Sequence, residues 1–546
     1  MELSKIADNL SIEQAQRILE NFPYSPWQVV AATTGSYLVY KLAGFVKWWL
    51  IDPQFSPLRD APGPDTYDSI IWGNMPKIFK APPSKVHEEW MNKYGHTITY
   101  RGMFLGYRLC TKDPKALAHM VNHSYDYPKP AQIRYFLERM FGKGGVLFAE
   151  GEDHRRQRKI MNPCFGPAQI RDLMPIFLDK AFQLRDIWIR QVEESGQEDK
   201  EIDVMVWLTR ATLDVIGLAG FDYEFNTLTE GEKNELVLAF MELFAPAQGP
   251  PFLALLSNFI PFLRMLPTKR ARASAHSKEV MARIGKQLVQ DKRAAVVAAT
   301  SGSGGVEKKT VVGRDLLSVL IKANMARDVK DSERMSDEEV MGQIMTMLIA
   351  GHETTATSLT WLLYDLSQPE HKHIQNRLRE ELLTLKSDRP TMEELNSLPY
   401  LDAVVRENLR INSVVDSTIR CAGKDDYIPV STPYTDKNGV ERTEIRIAAG
   451  EQIFIPVALA NRDKAIWGED ADVFNPDRWL EGNNSHPRSA EIPGVFSTIM
   501  TFLGGPRACI GYRFALMEMK ALIFALIRDM AYELPDPAPK IERKSQ

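Results

Sequence analysis

The stretch Phe502-Leu503-Gly504-Gly505-Pro506-Arg507-Ala508-Cys509-Ile510-Gly511 runs straight into a helical pattern, Tyr512 to Asp529. Glycine and proline mark a turn, and the apolar residues beyond it recur at helical spacing. The turn therefore delivers a cysteine just ahead of a helix. There the positive end of the dipole and free backbone N–H groups favour a thiolate. Glycines let the backbone come close to a flat group, and Arg507 suits an anionic oxygen. A lone cysteine beside a turn is usually a buried core residue. Here Phe502, Gly505, Arg507, Cys509 and Gly511 stand together at fixed spacing, a combination that chance rarely produces.

Working outward, Ala350-Gly351-His352-Glu353-Thr354-Thr355 lies inside the helical stretch Met335 to Leu366. A glycine weakens a helix interior by about 1 kcal/mol, a cost that makes sense where the backbone bends to leave room for a small molecule. His352-Glu353 also begins an HExxH zinc-protease pattern, which fails because Ala356 stands at the second histidine position. Glu407 and Arg410 are three apart on one helical face, alone worth only about 0.2–0.5 kcal/mol. Downstream lies Phe474-Asn475-Pro476-Asp477-Arg478-Trp479. Gly151 to Lys159 is a basic helical segment whose spacing puts His154 and Arg158 on one face, with Arg155, Arg156 and Lys159 turned the other way.

Taken in this order, the motifs resemble those of the cytochrome P-450 superfamily, with a texture closest to its fungal microsomal members. The resemblance runs from about Pro57 to about Leu534. It implies a mainly α fold with a small β region, a single large domain, and haem b held by Cys509 as axial thiolate. A cysteine thiolate on haem iron favours O–O cleavage. By the same resemblance, Glu353 and Thr354 are the acid and alcohol that relay protons to the site of oxygen activation. His154 and Arg158 match the family's Trp-x-x-x-Arg helix, with His154 where tryptophan is usual, and both are implied propionate contacts, as are Arg507 and Arg420. Glu407, Arg410 and Arg478 are the implied Glu-Arg-Arg clasp, structural rather than catalytic. The family usually continues past the last helix into a β hairpin, for which little sequence remains after Leu534.

The implied reaction inserts one oxygen atom from O2 into a hydrophobic small molecule: a terpenoid or sterol-like compound, a fatty acid or an aromatic compound of secondary metabolism. Electrons would come from NADPH through a flavoprotein reductase. The rivals are a haem-thiolate isomerase or dehydratase acting on peroxides, and a non-catalytic haem-binding sensor.

Composition agrees with a globular chain of ordinary type, 44% hydrophobic and 25% charged. A net charge of -4 offers nothing that points to nucleic acid. Four dispersed cysteines without a CxxC pair indicate neither a disulfide framework nor a structural zinc site. Residues 27–51 form a mostly apolar run of a length that crosses a bilayer. Trp27, Trp48 and Trp49 sit at its ends and Lys41 and Lys47 follow its midpoint, so the positive-inside bias puts residues 1–26 in the lumen and the catalytic domain in the cytosol. That predicts a single-pass endoplasmic reticulum protein with a retained anchor.

Residues 52–64 read as a proline-rich hinge, and 65–546 as the catalytic domain, mainly α to about residue 425. Ala294 to Gly305 reads as a flexible surface connection. Tyr427 to Leu459 reads as short strands around the turn Asp436-Lys437-Asn438-Gly439. Leu243 to Leu266, apolar and broken by prolines, reads as a second membrane contact.

Overall fold

Helix starts follow capping residues written in the sequence. In the computed structural model, which describes residues 25–196, 199–231, 233–244, 269–300, 315–326, 330–480 and 492–541, ten helices frame the site and its support. They are α1 (Pro26–Val46), α2 (Lys85–Tyr94), α3 (Pro114–Asn122), α4 (Gly151–Met161), α5 (Pro167–Ser195), α6 (Val204–Phe221), α7 (Asp337–Leu366), α8 (Lys372–Leu382), α9 (Pro399–Ile411) and α10 (Tyr512–Asp529). Ser25 and Ser336 close capping boxes with Gln28 and Glu339, satisfying N–H groups that a helix start leaves orphaned. Asp337, Glu338 and Glu339 in the first turn of α7 also complement its dipole.

The core is built on α7 and α10. Helix α6 packs along α7, and α10 packs along α5. Every residue of α10 from Leu516 to Ile527 is buried, the mark of a helix apolar all round. Two charged groups go inside with it. Lys520 reaches Asp402 at 2.8 Å and Asn396 at 2.9 Å. Glu518 is fully buried with neither oxygen hydrogen-bonded. Burial holds its carboxyl well above the ordinary range, and Thr355 of α7 pulls the other way.

Among the described residues six strands make two sheets: β1 (Thr97–Arg101), β2 (Tyr107–Thr111), β3 (Thr418–Cys421), β4 (Asp426–Thr435), β5 (Glu441–Ile447) and β6 (Gln452–Ile455). The order β1-β2-β6-β3 has β2 parallel to β6 and the other pairs antiparallel. Strands β4 and β5 form the expected hairpin. Asp436 accepts from the Asn438 and Val440 N–H groups, and Gly439 takes φ 80° in its turn.

Two expectations need correction and two gain detail. Strands β1, β2 and β3 lie in the part read as mainly α. Thr97-Ile98-Thr99-Tyr100 carries the β-branched and aromatic signal of a strand, but the segment is too short to stand out among helices. Residues Ala294 to Thr300 finish a 32-residue helix, Lys269–Thr300, because alanine is the best helix former. Ser301 to Gly305 lie outside the described residues, as does Leu243 to Leu266 beyond residue 244. The segment read as a hinge is docked: Leu58 is fully buried, Ser56 bonds Glu451, Thr99 N–H donates to Pro62 at 2.7 Å and Lys437 N–H to Asp60 at 2.8 Å. Finally, Arg156 and Lys159 turn away from His154 as expected, and each has an acidic partner. Arg156 binds Glu339 and the Arg334 carbonyl, and Lys159 pairs with Glu333 at 3.1 Å.

Among the described residues, two helices are long and apolar enough to cross a membrane. One is α6, largely buried in the core. The other spans Trp27–Phe55, and none of its most apolar 18 residues is buried; it continues α1 through a π-helical turn, Lys47–Ile51, and a 3-10 turn, Asp52–Phe55. Its end does not hang free. Phe45, Trp48 and Trp49 meet Phe104 with ring centroids 5.8, 5.6 and 5.9 Å apart. Phe104 sits at φ 54° in the turn joining β1 to β2.

Candidate functional site

The loop ahead of Cys509 is held by its own backbone. Cys509 N–H donates to Phe502 at 2.8 Å, Ala508 N–H to Gly505 at 3.0 Å and Val495 N–H to Leu503 at 2.9 Å. The Phe502 ring packs on Phe496 and Tyr512. Gly505 is required twice: its φ is +65°, and a Cβ would lie 2.1 Å from the Val121 carbonyl at the end of α3. Its role is thus to let α3 approach, not to clear a flat group. Gly511 differs, since the nearest atom to a Cβ there would be Phe165 at 3.8 Å. Protein packing leaves that glycine unexplained. Cys110 and Cys164 are buried and Cys421 is half-buried, whereas Cys509 is exposed. Burial of its surroundings raises the Cys509 thiol, and the Gly511 N–H and Arg158 charge oppose the rise.

The basic residues singled out in the sequence meet here. Arg158 donates to the Ala508 carbonyl at 2.8 Å, tying α4 to the cysteine loop. Arg507 binds Glu150 and the Ala149 carbonyl. Arg420, buried on β3, is braced by Thr418 Oγ1 at 2.8 Å and the Ile419 carbonyl at 2.9 Å. His154 is buried, one turn before Arg158. Three partners escaped sequence reasoning: Tyr125, Lys129 and Glu150. Lys129 meets Glu150 at 3.2 Å. Its place in Tyr127-Pro128-Lys129-Pro130 was legible as a loop, but no local pattern says what a loop lysine faces.

Positive charge is in excess. Lys129, Arg420 and Arg507 share one carboxylate, Glu150, and together with Arg158 they surround His154. Burial, then Arg507, brings Lys129 down to about 8 and Arg420 to about 10. His154 falls to about 3 by burial and the charges of Arg507, Lys129, Arg158 and Arg420, so its imidazole is neutral. The buried Nε of Arg507 has no hydrogen-bond partner. Buried cations that depress one another, with a donor unspent, fit a dianionic ligand such as a dicarboxylate porphyrin.

On α7, Thr354 is half-buried and its Oγ1 bonds back to Ala350 at 2.7 Å. Glu353 is half-buried, and burial alone raises its carboxyl. Gly351 does not mark a break, for α7 runs unbroken from Asp337 to Leu366. A Cβ there would sit 3.0 Å from Ile216 of α6. Close helix packing is the reason for this glycine, and the His352 carbonyl accepts from Thr212 of α6 at 3.1 Å across the same contact.

The clasp is complete. Glu407, Arg410 and Arg478 are all buried. Arg410 binds both Glu407 oxygens at 2.9 and 2.8 Å, and Arg478 Nε binds one at 3.0 Å. Trp479 Nε1 and the Asn475 N–H, each at 2.9 Å, saturate the carboxylate. The Arg410 guanidinium also reaches the Asn461 carbonyl, and Asn461 bonds Thr501 at 2.8 Å and the Met500 N–H at 2.7 Å. This chain of bonds carries the clasp to the residues just before the cysteine turn.

A mainly α fold that offers an exposed cysteine on a glycine turn, beside a long central helix and a ring of cations, has the form of a haem-thiolate protein. The chain matches the Cytochrome P-450 family model over residues 62–545 and belongs to that family. It is 49% identical over 494 residues to cytochrome P-450 monooxygenase 205 of Postia placenta, covering 90% of this chain and 89% of that one. Monooxygenase 128 of the same fungus is 44% identical over 524 residues, 95% and 93% of the two chains. The ganoderic acid synthetase of Ganoderma lucidum is 33% identical over 510 residues, 90% and 91%. The protein is accordingly a cytochrome P-450 monooxygenase with a haem-thiolate cofactor, a class that acts on hydrophobic substrates with electrons from a redox partner.

Proposed function

We propose that the protein is a membrane-anchored monooxygenase of secondary metabolism, holding haem b on Cys509 and fed from NADPH by a flavoprotein reductase. The observation that carries this is the pairing of one exposed cysteine with an unneutralised cation cluster. Arg507, Arg158, Arg420 and His154 would hold the two propionates, with Phe502, Gly505 and Gly511 shaping the turn below. Haem b supplies the oxygen-activating iron, so that one atom of O2 enters the substrate and the other leaves as water. Glu353 and Thr354 carry protons to that site. Burial favours the protonated form of Glu353, which suits a donor. Neither a peroxide isomerase or dehydratase nor a silent haem sensor has a use for that pair.

The substrate is a hydrophobic small molecule, terpenoid or sterol-like, fatty acid or aromatic. A role in secondary metabolism is supported by the relative named a ganoderic acid synthetase. Residues 1–26 are lumenal, 27–51 span the endoplasmic reticulum membrane and the rest is cytosolic. The unburied apolar helix supports the anchor.

The test is spectral and catalytic. Cys509→Ser abolishes the thiolate-dependent red shift of the reduced carbon-monoxide band, while replacing Cys110, Cys164 or Cys421 preserves it. Thr354→Ala keeps the band but diverts NADPH electrons to hydrogen peroxide. An unchanged band in the Cys509 variant overturns the ligand assignment, and unchanged product per NADPH in the Thr354 variant overturns the relay.

A further inference from the structure

His154 stands where a tryptophan is usual, and the two side chains do not offer the same chemistry. Indole has one N–H and can only donate. A neutral imidazole has one donor and one acceptor, and which nitrogen is which depends on its partners. Burial, reinforced by four neighbouring cations, keeps His154 neutral, so its tautomer decides what it shows to a ligand. With the proton on Nδ1, Nε2 would turn a lone pair toward a carboxylate and repel it.

One neighbour bears on the choice, a tyrosine whose hydroxyl is able to donate or to accept. The Tyr125 hydroxyl lies 3.2 Å from His154 Nδ1, and no described residue bonds Nε2. Tyr125 is itself held in place. Its ring meets two guanidinium groups, Arg155 of the exposed face of α4 at 4.1 Å and the half-buried Arg507 at 5.5 Å. The ring contact with His154 is edge-on, centroids 5.8 Å apart at 64°. Cation–π contacts of this kind fix a ring without consuming its hydroxyl.

We propose that Tyr125 is a positioning residue for haem binding: its hydroxyl donates to His154 Nδ1, fixes the imidazole as the Nε2–H tautomer, and so gives the propionates an N–H donor in place of the indole N–H. The inference rests on the reading of Cys509 and its surrounding cations as the haem site. It goes beyond that reading in assigning a role to a residue outside every motif, and in making that role conditional on His154.

The dependence can be measured in the full-length ferric protein, by the rate of haem loss to excess apomyoglobin. Tyr125→Phe removes the hydroxyl and keeps the ring against its two arginines, and should speed haem loss about fivefold, the worth of one hydrogen bond. His154→Trp restores a donor that needs no orientation, so the same Tyr125→Phe change should then have no effect. His154→Phe, which removes the donor altogether, should make it silent again and covers the case in which the larger indole misfolds. Equal acceleration in all backgrounds would assign Tyr125 a general packing role and overturn the proposal, as would no acceleration in the parent. The reduced carbon-monoxide spectrum separates the two levels. A red-shifted band in the parent with no coupling sinks only the Tyr125 role, whereas a parent without that band sinks the haem-thiolate reading beneath it.

Discussion

Two charged clusters are tied to the cysteine loop, one fully buried and one partly so, and they are built to opposite rules. At Glu407 every oxygen and both guanidinium groups are spoken for, by one another, by Trp479 and by main-chain groups. At Arg507 the cations outnumber the carboxylates, lower one another's proton affinity and leave an Nε unpaired. The first cluster is finished by folding alone, as buried ions must be. The second is finished only by something that folding does not bring. The difference separates a structural motif from a binding motif even though both are read in the sequence as arginines at fixed spacing.

Removing one partner from the finished cluster should cost most. Glu407→Ala strands two buried guanidinium groups and should destabilise the domain by about 3–5 kcal/mol, read as failure to incorporate haem and as loss of soluble protein; normal incorporation would break the contrast. Removing one cation from the unfinished cluster should act on the ligand instead. Arg420→Met is expected to speed haem loss about tenfold, as losing a charged hydrogen bond does, without lowering the thermal midpoint of the haem-stripped chain. A fall in that midpoint would mean the two clusters are the same kind of object.

Glu518 sharpens the comparison with a third case, a buried carboxyl with no cation at all. Its folded pKa is raised above the unfolded value of 4.5. Between those two values the folded state holds a proton that the unfolded state releases, so its contribution to stability is retained below about pH 4.5 and falls as pH rises above it. Glu518→Gln should therefore be neutral near about pH 4.5 and stabilising at about pH 8, read in thermal unfolding of the haem protein. Equal effects at both pH values would contradict this assignment. Smallest of all is the surface contrast. Arg155→Glu breaks an exposed pair worth roughly 0–1 kcal/mol and should slow reduction by the flavoprotein only at low salt. Arg156→Glu also faces Glu339 with a like charge and should weaken the α4–α7 contact, visible as a lowered thermal midpoint.

The site was more legible than its surroundings. Cys509, Arg507, His154 and Arg158 stood out in local motifs and Arg420 through the family resemblance, and the fold places His154 among Arg507, Arg158 and Arg420, with Arg158 tied to the cysteine loop. What spacing could not reveal was the purpose of a glycine. Gly505 and Gly351 read as clearance for a bound group, yet each lies against protein, the Val121 carbonyl and the Ile216 side chain. Close approach is a property of two segments, and only one of them is visible in a motif. Tyr125, Lys129 and Glu150 were missed for the same reason, being brought in by long-range packing. Strands β1 to β3 were overlooked because they are short and are completed by distant partners, β2 by β6 across more than three hundred residues.

The meeting of Phe45, Trp48 and Trp49 with Phe104 bears on how the enzyme sits in a cell. A helix joined to its cargo by slack chain lets the cargo tumble; one riveted through four rings hands on its lean. With α1 in a bilayer, the inclination that hydrophobic mismatch imposes on it becomes the inclination of the whole catalytic body. A thicker or thinner membrane then rotates the substrate's way in, rather than merely raising or lowering it.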